Sequence, residues 1–360
     1  MKIAIIGFSN SGRTTVFNAL TGQAVETAAY PTIEGEPHFG VVNVPDDRLT
    51  RLSEIYKPKK TTHATVEYID YLGLTKGDPR QNEKVFRTIK DADALLHVVR
   101  AFEDPAVPHP LGGVDPLRDL AYLEAELILG DLDLVEKRLA RMEEGRKKGK
   151  KPNEAEAAVL LKCKEALENE VPLRNFDFSG DELKDIRHLE FVSIKPQVVV
   201  FNVSEDYLKE RKNEAEVLLA RAGEMLKGEA LALSGKIEME LAQLPPEEAG
   251  AFLEELGIAE PARERLIRAC YRLLELISFF TVGEDECKAW TIRKGTTALK
   301  AAGKIHSDIE KGFIRAEVVH FDDFIKAGGM AGARKEGLLR LEGKTYVVRD
   351  GDIINFRFAV

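Results

Sequence analysis

Tryptophan occurs once, methionine five times and cysteine three times in 360 residues. Cys163, Cys270 and Cys287 are odd in number, widely separated and match no zinc spacing. They exclude a disulfide framework and read as reduced buried thiols of a cytosolic chain. No apolar run approaches the roughly 20 residues of a membrane-spanning helix. The run in "MKIAIIGFSN" ends at Gly7, too soon for a signal peptide, so a cytoplasmic, membrane-free protein is expected. Positive charge is in deficit, with 52 basic against 61 acidic side chains and a net charge of −9. Nothing global draws the chain to nucleic acid, although a local basic surface is compatible with that total. Repeat arrays and low-complexity stretches are absent. The length exceeds one ordinary core and suggests two or three domains.

What is present begins with a short β-branched run, "KIAIIG", followed by a loop and by "TTVFNALTG", which carries Val16, Phe17, Ala19 and Leu20 at helical spacing. Further strands are expected at "FGVVNV", "ATVEYID", "ALLHVVR" and "PQVVVFN". The last two are continuous apolar runs of the kind buried on both faces of a parallel sheet. An α/β sheet with crossover connections follows. Between those two strands, Leu132, Val135, Leu139 and Met142 recur at helical intervals, and so do Val159, Leu160, Cys163 and Leu167. The connector "EGRKKGKKPN" makes the pair a helical hairpin, with Arg146, Lys147, Lys148, Lys150 and Lys151 read as a solvated turn in preference to a phosphate contact. After residue 277 the pattern becomes short strands around one helix, with a tight Asp-Gly turn between strands in "VRDGDIINF". This tail holds 14 basic and 12 acidic residues, against 38 and 49 in the rest. The expected domains are therefore 1–125 with 190–277 as a nucleotide-binding domain, 126–189 as the hairpin and 278–360 as a compact α+β unit.

The loop "GFSNSGRTT" meets G-x-x-x-x-G-K-[ST] at Gly7, Gly12 and Thr14, but Arg13 stands in the lysine position. Such a loop works because backbone N–H groups and a helix N-terminus face the phosphates while a cation bridges the outer ones. Asn10, Ser11, Gly12, Arg13, Thr14 and Thr15 are the candidate phosphate contacts, with Thr14 able to hold Mg2+. The dinucleotide fingerprint G-x-G-x-x-G fails because position 9 is Ser9. "VEYIDYLGL" offers Asp70 and Gly73 in a D-x-x-G arrangement. Alone such a signal is weak and reads as a strand ending in a turn; downstream of a phosphate loop, Asp70 would order the metal's water and the Gly73 N–H would sense a γ-phosphate. Guanine readers place N-K-x-D after a buried strand, whereas this chain has Asn202, Val203, Ser204 and Glu205. A last base-contact segment is offered by Ser234, Gly235 and Lys236, which in isolation reads equally as a serine-capped helix start. Guanine specificity should therefore fall.

The order of these pieces resembles one family, the Obg-like ATPase (YchF) group of P-loop GTPase-fold proteins. The resemblance runs over nearly the whole chain, through "FNALTG", "GVVNVPDDRLTRLSEIYKPKKTTHATVEYID", "ALLHVVRAFED", "DLDLVEKRL" and the tail "AWTIRKGTTALKAAGKIHSDIEKGFIRAEVV". It implies a GTPase-type, mostly parallel sheet, an inserted helical hairpin and a C-terminal TGS domain. It also implies ATP preferred through N-x-x-E, Mg2+ as cofactor and association with the ribosome or ribosomal RNA; a monomer is expected. Leu74 falls where Ras-like enzymes carry the water-orienting glutamine, which implies slow or assisted hydrolysis.

Three departures from the family surround the γ-phosphate. Arg13 and Ser9 replace a lysine and a proline; "AAYPTIEGE" is two residues shorter, leaving Thr32 as the metal-sensing residue; and "LTKGDPRQNEKVF" is three residues shorter and lacks a glycine-rich stretch. The bulkier guanidinium is expected either to displace the phosphates or to swing outward into solvent. A slow ATPase or GTPase switch is the leading function, and a catalytically degenerate nucleotide-binding scaffold the alternative. His109, in "VPHPLGGVDP", reads as structural, and Trp290, Phe279, Phe280 and Phe313 as core.

Overall fold

Strands form where the aliphatic and β-branched runs lie. The computed structural model describes residues 1–27, 36–226, 228–255, 258 and 260–359. Its strands are β1 (Lys2–Ile6), β2 (His38–Asn43), β3 (Lys60–Thr62), β4 (Thr65–Asp70), β5 (Ala94–Ala101) and β6 (Gln197–Val203), followed by β7 (Ala230–Leu233), β8 (Leu276–Thr281), β9 (Glu286–Arg293), β10 (Phe313–His320), β11 (Arg340–Glu342) and β12 (Asp352–Phe358). One sheet has the order β2-β4-β1-β5-β6-β7. β4, β1, β5, β6 and β7 run parallel to one another. Every residue of β5 and β6 is buried, as continuous apolar runs require when helices cover both faces. Parallel strands deliver their C-terminal ends to one edge, where open α/β sheets place ligands.

The insertion is a helical hairpin. Its long arm, Pro116–Lys147, is opened by Asp115, whose side chain accepts from the Arg118 N–H, with proline in the first turn. Its return arm, Glu154–Glu168, is capped by Asn153. Val135 packs between Val159, Leu160, Cys163 and Leu167, with Leu132, Leu139 and Met142 alongside. Arg138 donates to both oxygens of the buried Glu156 at 2.7 and 3.0 Å, pinning the arms near the tip. The five basic residues of the connector are all exposed, as expected of a solvated turn.

By contacts the described chain forms two units, Met1–Val41 with Glu67–Leu266, and Val42–Val66 with Ile267–Val360. The second carries the sheet β11-β10-β12-β8-β9-β3. β3 reaches it from the segment 42–66 and pairs in parallel with β9, Lys60 opposite Glu286. Among the described residues of 278–360, four short helices accompany this sheet, Ala298–Ile305, Ser307–Lys311, Phe321–Lys326 and Met330–Lys335, where one was expected. Asp350 and Gly351 make a turn, but what precedes it is an isolated bridge between Val347 and Thr297, not a strand. Asp350 instead accepts from the Ser278 N–H at 2.8 Å and from Arg48. Phe279, Phe280 and Phe313 are core, and the half-buried Trp290 packs against Phe279 while donating to Thr281 Oγ1 at 2.9 Å.

Asp131, on the long arm, ties it to the segment entering β6 by accepting from the Val192 and Ser193 N–H groups at 2.9 and 2.7 Å. Burial pushes its carboxyl up to about 6 despite those bonds. Between about pH 4 and about pH 6 the native protein thus holds a proton that the unfolded chain has released, so this group's contribution to stability falls as pH rises. Relative to Asp131→Asn, the parent should lose unfolding free energy across that window and show a constant difference above it. Denaturant unfolding of both proteins as a function of pH checks this.

Candidate functional site

The phosphate-loop segment leaves β1 at Gly7, where a Cβ would lie 2.5 Å from the Val98 carbonyl oxygen and 2.7 Å from Ser11 Oγ. Asn10 and Gly12 take left-handed backbone angles, φ 63° and 86°. The helix Arg13–Thr21 then starts with no side-chain cap and no acidic residue in its first turn. Its first N–H groups have no intrahelical acceptor and sit at the positive end of the helix, an arrangement that binds anions. A cavity of about 890 Å³ opens here, lined by Asn10, Gly12, Arg13, Thr14 and Thr15 on this side. That is within the roughly 300–1,000 Å³ of small-molecule sites. Ser11 lies behind the loop, buried.

Asp70, at the C-terminal end of β4, is brought against the loop. Thr14 Oγ1 donates to its Oδ2 at 2.7 Å, and Arg13 Nη1 donates to its Oδ1 at 2.9 Å. The same Nη1 donates to the Tyr71 carbonyl. Arg13 therefore does not swing outward into solvent, one of the two outcomes its size suggested, but turns onto Asp70. Its side chain is 11% exposed and that of Asp70 2% exposed. A desolvated carboxylate close by outcompetes water for the guanidinium.

The D-x-x-G segment is stitched to the loop. Leu74 N–H donates to the Gly7 carbonyl at 3.0 Å, and Phe8 and Leu74 form a parallel bridge. Gly73 lines the cavity, and a Cβ there would sit 2.7 Å from Ser9 N. Leu74, 1% exposed, points into the core with Phe8, Ile6 and Val85 and does not line the cavity. Thr32 lies outside the described residues.

Asn202, Val203 and Glu205, from the end of β6, line the same cavity, as do Ser234 and Lys236. The Asn202 amide is buried and donates to the Ser11 carbonyl at 3.2 Å while accepting from the Gly235 N–H at 2.9 Å. Both polar atoms of that amide are thus engaged with protein. A Cβ on Gly12 would overlap Asn202 Nδ2, so the glycine supplies space as well as its backbone angle. Ser234 starts the helix Gly235–Gln243 but makes no side-chain cap bond, so the serine-cap reading of this segment is not what the structure adopts.

Two further residues brace the site. Arg100, buried at the end of β5, donates to the carbonyls of Phe102 and Val107 at 3.1 and 2.9 Å and of Asn10 at 3.4 Å. It fixes the loop holding Phe102, Glu103 and Asp104 on the cavity wall. A charged residue closing the run "ALLHVVR" was the available signal for it. His109 contacts Asp119 through Nε2 at 2.9 Å and accepts the Leu111 N–H on Nδ1 at 3.1 Å. Both ring nitrogens are engaged, which fits the structural reading. Beneath, on β5, burial and the nearby Arg174 push His97 down to about 3, so it stays neutral.

A family model described as "50S ribosome-binding GTPase" matches residues 2–128. The model for the YchF GTPase C-terminal region, described as "Protein of unknown function (DUF933)", matches residues 276–359. The chain is 44% identical over 366 residues to the "Ribosome-binding ATPase YchF" of Bacillus subtilis (strain 168), covering 100% of both. To the protein of the same name from Escherichia coli O157:H7 it is 42% identical over 364 residues, covering 100% of this chain and 99% of that one. The solved structure of the Schizosaccharomyces pombe YchF GTPase superposes with a TM-score of 0.83 at 32% identity, over 99% of this chain and 97% of that one.

The Asn202 clasp makes a direct prediction. Asn202→Ala should remove the bond between the two loops and leave the Ser11 carbonyl and Gly235 N–H without partners, lowering ATP affinity by about tenfold or more, since each orphaned buried group costs about 1–3 kcal/mol. Calorimetric titration of parent and variant tests it. Equal affinities would show that the two loops hold their spacing without the amide.

Proposed function

The chain belongs to the YchF family, and from that premise we propose that it is a magnesium-dependent, ATP-preferring NTPase switch whose nucleotide state is read by the ribosome or ribosomal RNA. The observation that carries the reading is the convergence, in one cavity, of an uncapped helix N-terminus, the Thr14–Asp70 pair and the segments held by Asn202. A triphosphate fits the first, a hard divalent cation the second and a base the third. The TGS-type unit 278–360 and the hairpin 126–189 are the surfaces that would meet the partner. The cytoplasm is where such a partner is met; among the described residues no helix is long and apolar enough to cross a membrane.

The donor set suits magnesium: a hydroxyl oxygen and a carboxylate meet at 2.7 Å beside the anion-binding N–H groups. Thr14 would hold the ion as a ligand, Asp70 would order its water and Thr32 would sense it, and the ion would supply positive charge against the phosphates. The acidic wall formed by Glu26, Glu36, Glu103, Asp104 and Glu240 also favours a nucleotide arriving as its metal complex. The chain's own groups do the rest. N–H groups of residues 12–15 orient the phosphates, and Arg13 supplies the positive charge that a lysine supplies in relatives. The Gly73 N–H would sense the γ-phosphate. Val203, Glu205 and Lys236 frame the base, and without N-K-x-D the frame lacks the aspartate that pairs with the guanine edge.

Hydrolysis is the step least supported by side chains. Leu74 is turned into the core and cannot orient water, so turnover is slow unless a partner supplies that group. This observation also favours a second reading, a scaffold that binds nucleotide without turning it over. Single-turnover hydrolysis with excess protein, with and without ribosomes, separates the two.

Competition titration should place ATP at least level with GTP. A tenfold preference for GTP, about 1.4 kcal/mol, would overturn the reading of Asn202 to Glu205. No detectable binding of either nucleotide with magnesium would sink the proposal as a whole. In the same assay, Asp70→Asn should weaken binding measured with magnesium more than binding measured in EDTA.

A further inference from the structure

Arg13 takes a position that sequence did not anticipate, and its partners in the structure are the groups that magnesium would engage. Asp70 Oδ1 is taken by Arg13 Nη1 at 2.9 Å, and Asp70 Oδ2 by Thr14 Oγ1 at 2.7 Å. Both carboxylate oxygens and the metal-binding hydroxyl are therefore satisfied by the loop itself. We propose that Arg13 is a metal-gating residue: its guanidinium acts as a resident counter-cation for Asp70, and magnesium gains that carboxylate only by displacing the arginine onto the nucleotide's phosphates. The proposal rests on the nucleotide-site reading above.

Three physical points support two alternative poses for this side chain. Asp70 is all but fully desolvated and Arg13 largely so. A buried carboxylate cannot stand uncompensated, so some cation must hold it at every stage. Secondly, Arg13 Nε is buried with no acceptor among the described residues. An unsatisfied guanidinium N–H is a standing preference for a pose with more acceptors, and phosphate oxygens supply them in a fork geometry. Thirdly, the arginine head sits one bond further from the backbone than a lysine ammonium, and it fills a planar fork where an ammonium is a compact point. That extra reach is what lets it cap Asp70 and still donate to the Tyr71 carbonyl.

Magnesium and arginine thus compete for one carboxylate, while arginine and magnesium together serve one triphosphate. The gain in nucleotide affinity on adding magnesium should therefore be smaller in this chain than in one without the arginine, because part of the metal's contribution goes to displacing the latch.

The test is a cycle of Arg13→Lys, Arg13→Met, Asp70→Asn and the Arg13→Met/Asp70→Asn double variant. The probe is AMP-PNP, the non-hydrolysable imido analogue of ATP, titrated with saturating magnesium and with EDTA. The magnesium gain, the ratio of the two dissociation constants, should rise about fivefold or more in both Arg13 variants. In the Asp70→Asn background the Arg13 substitution should no longer change it. Thermal unfolding of the nucleotide-free proteins gives a readout independent of ligand, in which the Arg13→Met and Asp70→Asn shifts should be non-additive. Should Arg13→Met fail to fold, Arg13→Lys carries the comparison. An unchanged gain in both Arg13 variants while AMP-PNP still binds, or an equal rise in the Asp70→Asn background, overturns the latch and leaves the nucleotide site standing. Failure of the parent to bind AMP-PNP at any magnesium concentration overturns both.

Discussion

The Asn202 amide sets the spacing of the cavity. Buried at the end of β6, it donates to the Ser11 carbonyl on one side and accepts the Gly235 N–H on the other. A buried amide with either bond missing loses roughly 1–3 kcal/mol, so the phosphate loop and the 234–236 segment are held at one separation. Gly12 and Gly235 follow from this. A Cβ at the first would overlap the amide nitrogen, and one at the second would press on the amide oxygen at 3.1 Å. The glycine that the phosphate-loop pattern demands for its left-handed angle is thus also demanded by a side chain 190 positions downstream. Arg100 extends the same scheme by tying Asn10 to the wall around Phe102.

Much of this was legible in the sequence, for identifiable reasons. Continuous apolar runs have only one environment in an α/β protein, so β5 and β6 could be placed as central strands. Helical periodicity with a Gly- and Lys-rich break could only be a hairpin, and its facing residues are those that pack. Glycine spacing placed the phosphate loop because local backbone geometry dictates it. What stayed hidden depends on contacts distant in sequence. Nothing local in "KPKKTT" tells that β3 joins β9, more than 220 residues away. The Asp-Gly turn before β12 was legible as a turn but not as the partner of Ser278 and Arg48. The direction taken by Arg13 depends on a carboxylate 57 positions on. Size and charge alone left it only displacement of phosphate or escape to solvent; a third pose existed because Asp70 was desolvated and close.

The site separates binding from turnover along chemical lines. The groups that would hold phosphates are backbone N–H donors of a fixed helix start, and the segments that would frame a base are braced by a buried amide. These depend on glycine geometry and on strand register, which the chain keeps. The groups that would accelerate hydrolysis are side chains, and the two candidate positions are otherwise engaged in the structure: Leu74 lies in the core and Arg13 is held by Asp70. Placement accurate to a fraction of an ångström matters for a transition state and far less for ground-state affinity. Nucleotide-dependent switching and weak intrinsic turnover are therefore compatible in one cavity. A slow enzyme and a pure binding scaffold differ here by the pose of one guanidinium and by whether a partner supplies the water-orienting group that Leu74 cannot.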